Sequence, residues 1–476
     1  MDILRPNLRL STLVFTGSVE IIMHATQKST PVWICTDCGE ETLKWGGRCL
    51  NCGAWNTLKE VRLATSGSHR SRALKEKPQV YDLAAATLGP VPDRIATGLS
   101  EVDRVLGGGI FPGTMALLAG EPGIGKSTLL LHLAEGVARQ GTVLYVSGEE
   151  SVDQIRGRAG RLKFAAPAVR LVATTDLAQV LDILEMEQPT LAIIDSIQTM
   201  VDESYPSAAG SVVQVRETAM SFQRWAKAHQ TSLVLVGHVT KDGSVAGPRT
   251  LEHLVDVVLT MEGERTNELR LIRTTKNRYG PTDEVGLLAM TSDGLQTIDN
   301  PSARFLKERM TGVPGSVVTV ILEGTRPLLI EIQALTRPLS GVYPKRVVSG
   351  FDPGRLDLLV AVLEARAGLK LHQLDIFVNV SGGLKVREPA ADLAVALAVA
   401  SAATKIALAP TLVVFGELGL AGEIRPVSAA KRRSDEAKRL GYPRQLTATT
   451  LRAILDQAGL VTRGQTSSAE TSKEYL

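Results

Sequence analysis

Aromatic residues make up only 4% of this 476-residue chain, too few for a surface that grips nucleobases mainly by stacking. Cysteine is absent outside one short stretch. All four lie between residues 35 and 52, which excludes a disulfide framework through the body of the chain and points to a metal site in a reducing compartment. Charge of one sign is missing as well: Lys+Arg 53 against Asp+Glu 50 leaves a formal +3. Contact with a polyanion must therefore come from local patches and not from a global basic field. No apolar run is long enough to cross a membrane; the most apolar, Leu393 to Thr404, is short and follows Asp392. The opening residues imitate a signal peptide loosely (Arg5, Arg9, Leu13-Val14-Phe15), but Glu20 interrupts the apolar part and no small-x-small cleavage site follows. Met23 is an alternative start. At 44% hydrophobic content the expectation is a globular cytoplasmic protein of about three domains.

What is present begins with Gly120-Glu121-Pro122-Gly123-Ile124-Gly125-Lys126-Ser127, followed by Thr128, which fits the P-loop pattern G-x-x-x-x-G-K-[ST]. Met115 to Ala119 reads as a buried strand, and Thr128 to Arg139 carries Leu129, Leu130, Leu133 and Val137 at helical spacing. Strand, glycine loop, helix is the context the motif requires. Glycines let successive N–H groups curl toward phosphate oxygens at the positive end of a helix. Lys126 would reach the β/γ-phosphates of ATP, and Ser127 would offer its hydroxyl to Mg²⁺.

Cys35-Thr-Asp-Cys38 and Cys49-Leu-Asn-Cys52 form two C-x-x-C knuckles separated by ten residues. Each places two thiolates about a tetrahedral ion, so a structural Zn²⁺ held by Cys35, Cys38, Cys49 and Cys52 is expected. Gly39 and Gly53 follow the second cysteine of each knuckle, where a tight turn often needs positive φ. Trp33, Trp45 and Trp55 crowd this module, either as its miniature core or as a stacking or docking surface. From Lys59 to Lys77 the chain is polar and basic, as in a linker.

Beyond the P-loop, strands and helices alternate as in a parallel sheet covered on both faces. Thr142 to Ser147 is a strand running into Gly148-Glu149-Glu150; either glutamate is placed to orient the attacking water. Leu191-Ala192-Ile193-Ile194-Asp195 has the Walker B form, in which Asp195 holds Mg²⁺ through water. Leu233 to Val236 is a further strand, ending in Gly237-His238-Val239-Thr240. His238 is a γ-phosphate sensor or a histidine satisfied at a strand end. Two loops rich in small residues, Asp202 to Gly210 and Lys241 to Pro248, are candidates for a mobile ligand-binding surface, with Lys241 and Arg249 adding charge to the second.

The order P-loop, Gly-Glu-Glu, Ile-Ile-Asp-Ser, Val-Gly-His-Val-Thr-Lys-Asp-Gly and Lys276-Asn277-Arg278-Tyr279-Gly280 resembles the RadA/Sms family of bacterial recombination proteins, from about Val32 to about Leu460. The resemblance implies an α/β chain with a small N-terminal zinc module, a RecA-like P-loop ATPase core with a mostly parallel sheet, and a C-terminal α+β Lon-protease-like domain. It implies a hexameric ring motor on single-stranded DNA that drives branch migration of recombination intermediates, bound to branched DNA, partnered functionally by the recombinase RecA and associated with the nucleoid. By the same resemblance, Glu149 matches the water-activating glutamate, and Lys276 and Arg278 match residues that reach a neighbouring subunit's nucleotide or the DNA. Tyr279 stands where the family signature has Phe, so its added hydroxyl needs a polar partner or water. The expected divisions are an extension (1–31), the zinc module (32–58), a basic linker (59–79), the ATPase domain (80–295), a linker (296–312), the Lon-like domain (313–460) and a disordered tail (461–476).

In the last third, Val317 to Gly324 and Pro327 to Leu335 read as two strands around a turn, Arg355 to Ala367 as a helix, Asp375 to Val380 as a strand, Pro389 to Ala402 as a buried helix and Leu412 to Leu418 as one strand. The Lon family cuts peptides with a Ser–Lys pair. Here Glu388-Pro389-Ala390-Ala391-Asp392 carries Ala390 at the serine position, and Lys431 falls near the lysine position. That disfavours the alternative of an ATP-dependent protease; a nucleotide-switched scaffold is the other alternative. Lys345-Arg346, Arg355 and Lys431-Arg432-Arg433 are the basic clusters expected against duplex phosphates, each with a solvated surface face as the alternative.

Overall fold

A computed structural model of the chain describes residues 32–35, 40–51, 53–61, 92–238, 250–263 and 268–461. Cys38, Cys52, Lys241, Arg249, the 1–31 extension, nearly all of the 59–79 linker and the tail after Val461 lie outside the described residues.

The chain forms two compact units, Met1–Ala86 and Thr87–Leu476. In the first, β1 (Val32–Cys35) pairs antiparallel with β2 (Glu41–Thr42) on one side and β3 (Leu58–Val61) on the other. Cys35 and Cys49 are buried beside Leu58, with Trp33 packed against them. Trp45 and Trp55 are 60% and 69% exposed, so the miniature-core reading holds for Trp33 alone.

The second unit is built on a nine-stranded sheet in the order β12-β11-β10-β9-β4-β8-β7-β5-β6. Six strands are parallel: β4 (Met115–Gly120), β5 (Val143–Ser147), β6 (Val169–Ala173), β7 (Leu191–Asp195), β8 (Ser232–His238) and β9 (Val257–Glu262). The central ones are apolar throughout because helices cover both faces. Helices α1 (Ser100–Leu106) and α2 (Lys126–Val137) pack on one face, with Leu129, Leu130 and Leu133 fully inside. Helices α4 (Leu177–Glu187) and α5 (Val212–His229) cover the other, while α3 (Val152–Arg161), between β5 and β6, sends Ile155 to the α2 side. A short α6 (Thr250–Leu254) precedes β9.

Three antiparallel strands, β10 (Leu269–Asn277), β11 (Val285–Thr291) and β12 (Gly294–Thr297), extend the sheet at its β9 edge. Leu269, Leu271 and Leu287 from this extension belong to the same buried cluster as Ile321, Leu328 and Ile330 of the C-terminal domain. The stretch 296–312, expected as a linker, instead carries the end of β12 and α7 (Pro301–Leu306), whose Phe305 enters that core. Asn300 caps α7 by accepting from the Ala303 N–H at 3.0 Å, and Pro301 starts it.

The C-terminal sheet has the order β15-β16-β14-β13-β17-β20. Its strands are β13 (Ser316–Glu323), β14 (Arg326–Pro338), β15 (Arg346–Ser349), β16 (Leu374–Val380), β17 (Leu412–Val413) and β20 (Arg444–Gln445), with a separate pair β18 (Glu417–Leu418) and β19 (Ile424–Arg425). Packed with it are α8 (Pro353–Ala367) and α9 (Asp392–Thr404), while α10 (Ala430–Arg439) and α11 (Leu451–Gln457) complete the domain. The single strand expected over 412–418 is broken into β17 and β18: the Gly416 N–H donates to Ala390 O at 2.8 Å instead of extending a ladder. The tip of the β13–β14 hairpin is fastened to the large sheet. Arg326 pairs with buried Glu101 at 2.6 Å, Arg273 with Glu323, and the Thr325 N–H donates to Asp283 O at 2.7 Å.

Candidate nucleotide site at the end of the parallel sheet

The P-loop leaves β4 at Gly120 and enters α2 at Lys126. Gly123 and Gly125 sit at φ +78° and +117°, a region side chains avoid, and a Cβ on Gly125 would lie 2.5 Å from the Met290 methyl. The opening N–H groups of α2 have no upstream helical carbonyl and face the loop's concavity, the arrangement that receives phosphate. Lys126 is buried, and its ammonium donates to Gly120 O at 2.7 Å and Glu121 O at 3.1 Å. Burial pulls its pKa below the usual 10.5, opposed by the charges of Asp195 and then Glu149. The lysine thus lies among the carbonyls of the loop it serves, within the field of both expected acids.

Strands β5 and β7 run parallel with Ser147 opposite Asp195, which brings both strand ends to one edge. The Gly148 N–H donates to Asp195 O at 2.8 Å. Asp195 is buried and accepts from the Tyr145 hydroxyl at 2.6 Å; Glu149 is exposed and accepts from the Ser196 hydroxyl. The two neighbouring glutamates are therefore distinguishable. Glu150 is engaged by Arg158 through both oxygens at 2.7 and 2.5 Å, while Glu149 stands toward the P-loop lysine. Hard oxygen donors from Ser127 and Asp195 on adjoining elements suit Mg²⁺. His238 is the last residue of β8 and pairs with Gly120 in register.

Lys276 and Arg278 lie elsewhere. Asn277 pairs with Val257, and Val257 with Ala116 at the start of β4, so this turn sits at the opposite end of the sheet from the chain's own P-loop. Four residues of strand put the two ends roughly 13 Å apart at about 3.3 Å per residue. Lys276 donates to Glu252 O and Val255 O at 2.7 Å each, gathering the end of α6. Arg278 is half-exposed and pairs with buried Asp256 at 3.0 Å. Tyr279 stacks on Phe111 with centroids 4.6 Å apart, and its carbonyl accepts from Arg94 at 2.5 Å.

Sequence reasoning missed Tyr145, Arg270, Asp256, Ser196 and Arg94. Arg270, buried on β10, donates from Nε to Ile124 O at 2.8 Å and braces the P-loop from behind. The loop Asp202 to Gly210, expected to be a mobile surface, is pinned: the Gln214 amide, fully buried, donates to Asp202 O, Tyr205 O and Ser207 O within 3.2 Å and accepts from the Asp202 N–H.

Family models match in three places: one described as an AAA domain over residues 85–244, one as a rubredoxin metal binding domain over 33–60, and one as subunit ChlI of Mg-chelatase over 358–449. The DNA repair protein RadA of Brucella abortus is 46% identical over 424 residues, covering 87% of this chain and 91% of that protein. The chain belongs to the RadA family. RadA of Pseudomonas aeruginosa is 45% identical over 421 residues, covering 88% and 93%, and RadA of Bacillus subtilis 41% over 455 residues, covering 94% and 99%. Zinc ribbon, P-loop ATPase core and C-terminal Lon-like domain therefore stand as the RadA architecture of this chain.

The zinc ribbon's described half fits a metal. Cys35 and Cys49 are buried, the Cys35 N–H donates to Glu40 O at 2.9 Å, and the Cys49 N–H donates to Ala54 O at 2.8 Å. Gly53 has φ +76°, as its position after the second knuckle requires. Among the described residues no three His, Cys, Asp or Glu side chains gather as a metal site, since Cys38 and Cys52 lie outside them. No described helix is long and apolar enough to cross a membrane.

The C-terminal domain's basic residues are less available than their sequence suggested. Arg433 is fully buried and paired with Glu388 at 2.9 and 2.7 Å, with Val320 O a further acceptor at 2.6 Å. Arg355 is bidentate on buried Asp392 at 2.5 and 2.6 Å. Arg346 donates to Leu374 O at 2.7 Å, whereas the side chains of Lys345 and Lys431 are exposed. Ala390 is buried at the start of a helix and has no nucleophilic atom.

Proposed function

We propose that this chain is a DNA-dependent ATPase of homologous recombination and repair, working as a hexameric ring that moves on single-stranded DNA and promotes branch migration. Membership of a family whose named members are DNA repair proteins supports the setting, the cytoplasm with its nucleoid. One observation carries the ring. The P-loop with its acids is at one end of the sheet, and Lys276 and Arg278 are at the other. Half-exposed Arg278 at that end is out of reach of its own nucleotide but open to a neighbour's nucleotide or to DNA, and an arginine supplied in trans makes hydrolysis depend on assembly.

In this reading the α2 N–H groups and Lys126 bind the triphosphate, Ser127 and Asp195 hold Mg²⁺, and Glu149 orients the attacking water. Mg²⁺, when bound, would neutralise charge on the phosphates. Zn²⁺ on Cys35, Cys38, Cys49 and Cys52 is structural, because four protein ligands leave no open position. Lys241 and Arg249, after β8, and Lys345 and Arg346, in the C-terminal domain, are the DNA contacts of this reading, and RecA is its functional partner. Peptide cleavage is rejected because Ala390 removes the nucleophile.

Subunit mixing tests the proposal. Lys126→Ala and Arg278→Ala should each lower ATP turnover, Arg278→Ala on the order of a thousandfold. Mixing the two should restore part of it, since some interfaces then join an intact P-loop to an intact arginine. Single-stranded DNA should stimulate the parent. No recovery on mixing removes the trans role, and no effect of DNA on turnover or assembly removes the motor.

A further inference from the structure

Tyr145 lies within β5, 1% exposed, two residues before Ser147. In the parallel register it is opposite Ile193, and its hydroxyl reaches along β7 to Asp195 Oδ2 at 2.6 Å. Packing does not demand that oxygen. The ring sits in an apolar cluster with Leu130, Leu133, Val143 and Ile193, where phenylalanine fills the same space. A buried hydroxyl needs a partner, and here the partner is the Walker B carboxylate itself. The strand ends are also cross-laced: Tyr145 of β5 holds the acid of β7, and Ser196, just past β7, holds Glu149, just past β5.

From this geometry we infer that Tyr145 is a positioning residue for the metal step: its hydroxyl fixes one carboxylate oxygen of Asp195 and thereby sets how the carboxylate is presented to Mg²⁺. Partners that orient a metal-holding side chain are worth about 10–100-fold in metal affinity when removed. The inference rests on reading Asp195 as the Mg²⁺ acid.

The test uses the full-length protein and a fluorescent ADP analogue, titrated with Mg²⁺ and, separately, held in EDTA. Tyr145→Phe should raise the Mg²⁺ concentration for half-maximal turnover and for Mg²⁺-dependent ADP binding about tenfold. ADP binding in EDTA should match the parent, which a general loss of structure would not allow. Asp195→Asn should abolish the Mg²⁺ dependence. If Tyr145→Phe behaves as the parent while Asp195→Asn loses the Mg²⁺ effect, the tyrosine has no positioning role and the Walker B reading stands. If Asp195→Asn keeps the parent's Mg²⁺ dependence, the Walker B reading falls and takes the inference with it. Weakened binding of Tyr145→Phe in EDTA would mean that the residue acts through the fold, and would also overturn it.

Discussion

Two places in the chain set a lysine near the start of a helix, Lys126 on α2 and Lys431 on α10, and their surroundings differ. At the P-loop, Lys126 is buried and held among carbonyls, with Asp195 and Glu149 in its field. In the C-terminal domain, Lys431 stands in water at the head of α10, and Asp392 is closed by a bidentate arginine. Charges in the first site converge on the glycine loop. Those in the second are paired with one another: Arg355 is bidentate on Asp392 and Arg433 on Glu388. A charged cluster is thus no evidence of chemistry until its partners are known.

The largest expected effect sharpens the second half of that contrast. Arg433→Ala should lower stability by about 3 kcal/mol or more, because Glu388 and Val320 O lose the group that satisfies them, whereas Lys431→Ala, next but one, should stay within about 0.5 kcal/mol. Denaturant unfolding of the two variants checks this; equal effects would place Arg433 among the solvated surface charges after all. A smaller effect probes the ATPase half. Burial holds the His132 imidazole below its usual 6.5, with Glu135 opposing, and its Nε2 accepts from the Leu295 N–H at 3.2 Å. With the folded value depressed, the unfolded chain takes up the proton first. The stabilisation is therefore complete above 6.5 and lost as pH falls through the folded value. Melting temperatures from about pH 7.5 to about pH 5 should fall for the parent and fall less for His132→Gln; parallel curves would remove this group from the account.

Much of the fold was legible because its signals are local. Met115–Gly120 and Leu191–Asp195 are apolar runs closed by glycine or aspartate, and both are strands that end at the P-loop edge of the sheet. The bonds that finish the site are not local. Tyr145 and Asp195 are 50 residues apart, and Arg270 and Ile124 146 apart, so no spacing announces them. Glu149 and Glu150 were equivalent by position and only the family resemblance favoured Glu149; in the structure Arg158, brought back by the first turns of α3, engages Glu150. Lys276 and Arg278 were legible through the family resemblance as groups that reach a neighbouring subunit's nucleotide or the DNA; the register that sets them at the far end of the sheet from their own P-loop follows from β10 turning antiparallel to β9. Arg433 read as surface because two basic neighbours precede it, and only the side of α10 it occupies buries it.

The contrast between the two sites reduces to one paired measurement, ATP hydrolysis and peptide hydrolysis by the parent, Lys126→Ala and Lys431→Ala. Lys126→Ala should lose ATP turnover by about 10²–10³-fold, the cost of removing a preorganised charge from the reacting phosphates. Lys431→Ala should hydrolyse ATP as the parent does, and no preparation should cleave peptide. Peptide cleavage by the parent that disappears in Lys431→Ala would contradict the account.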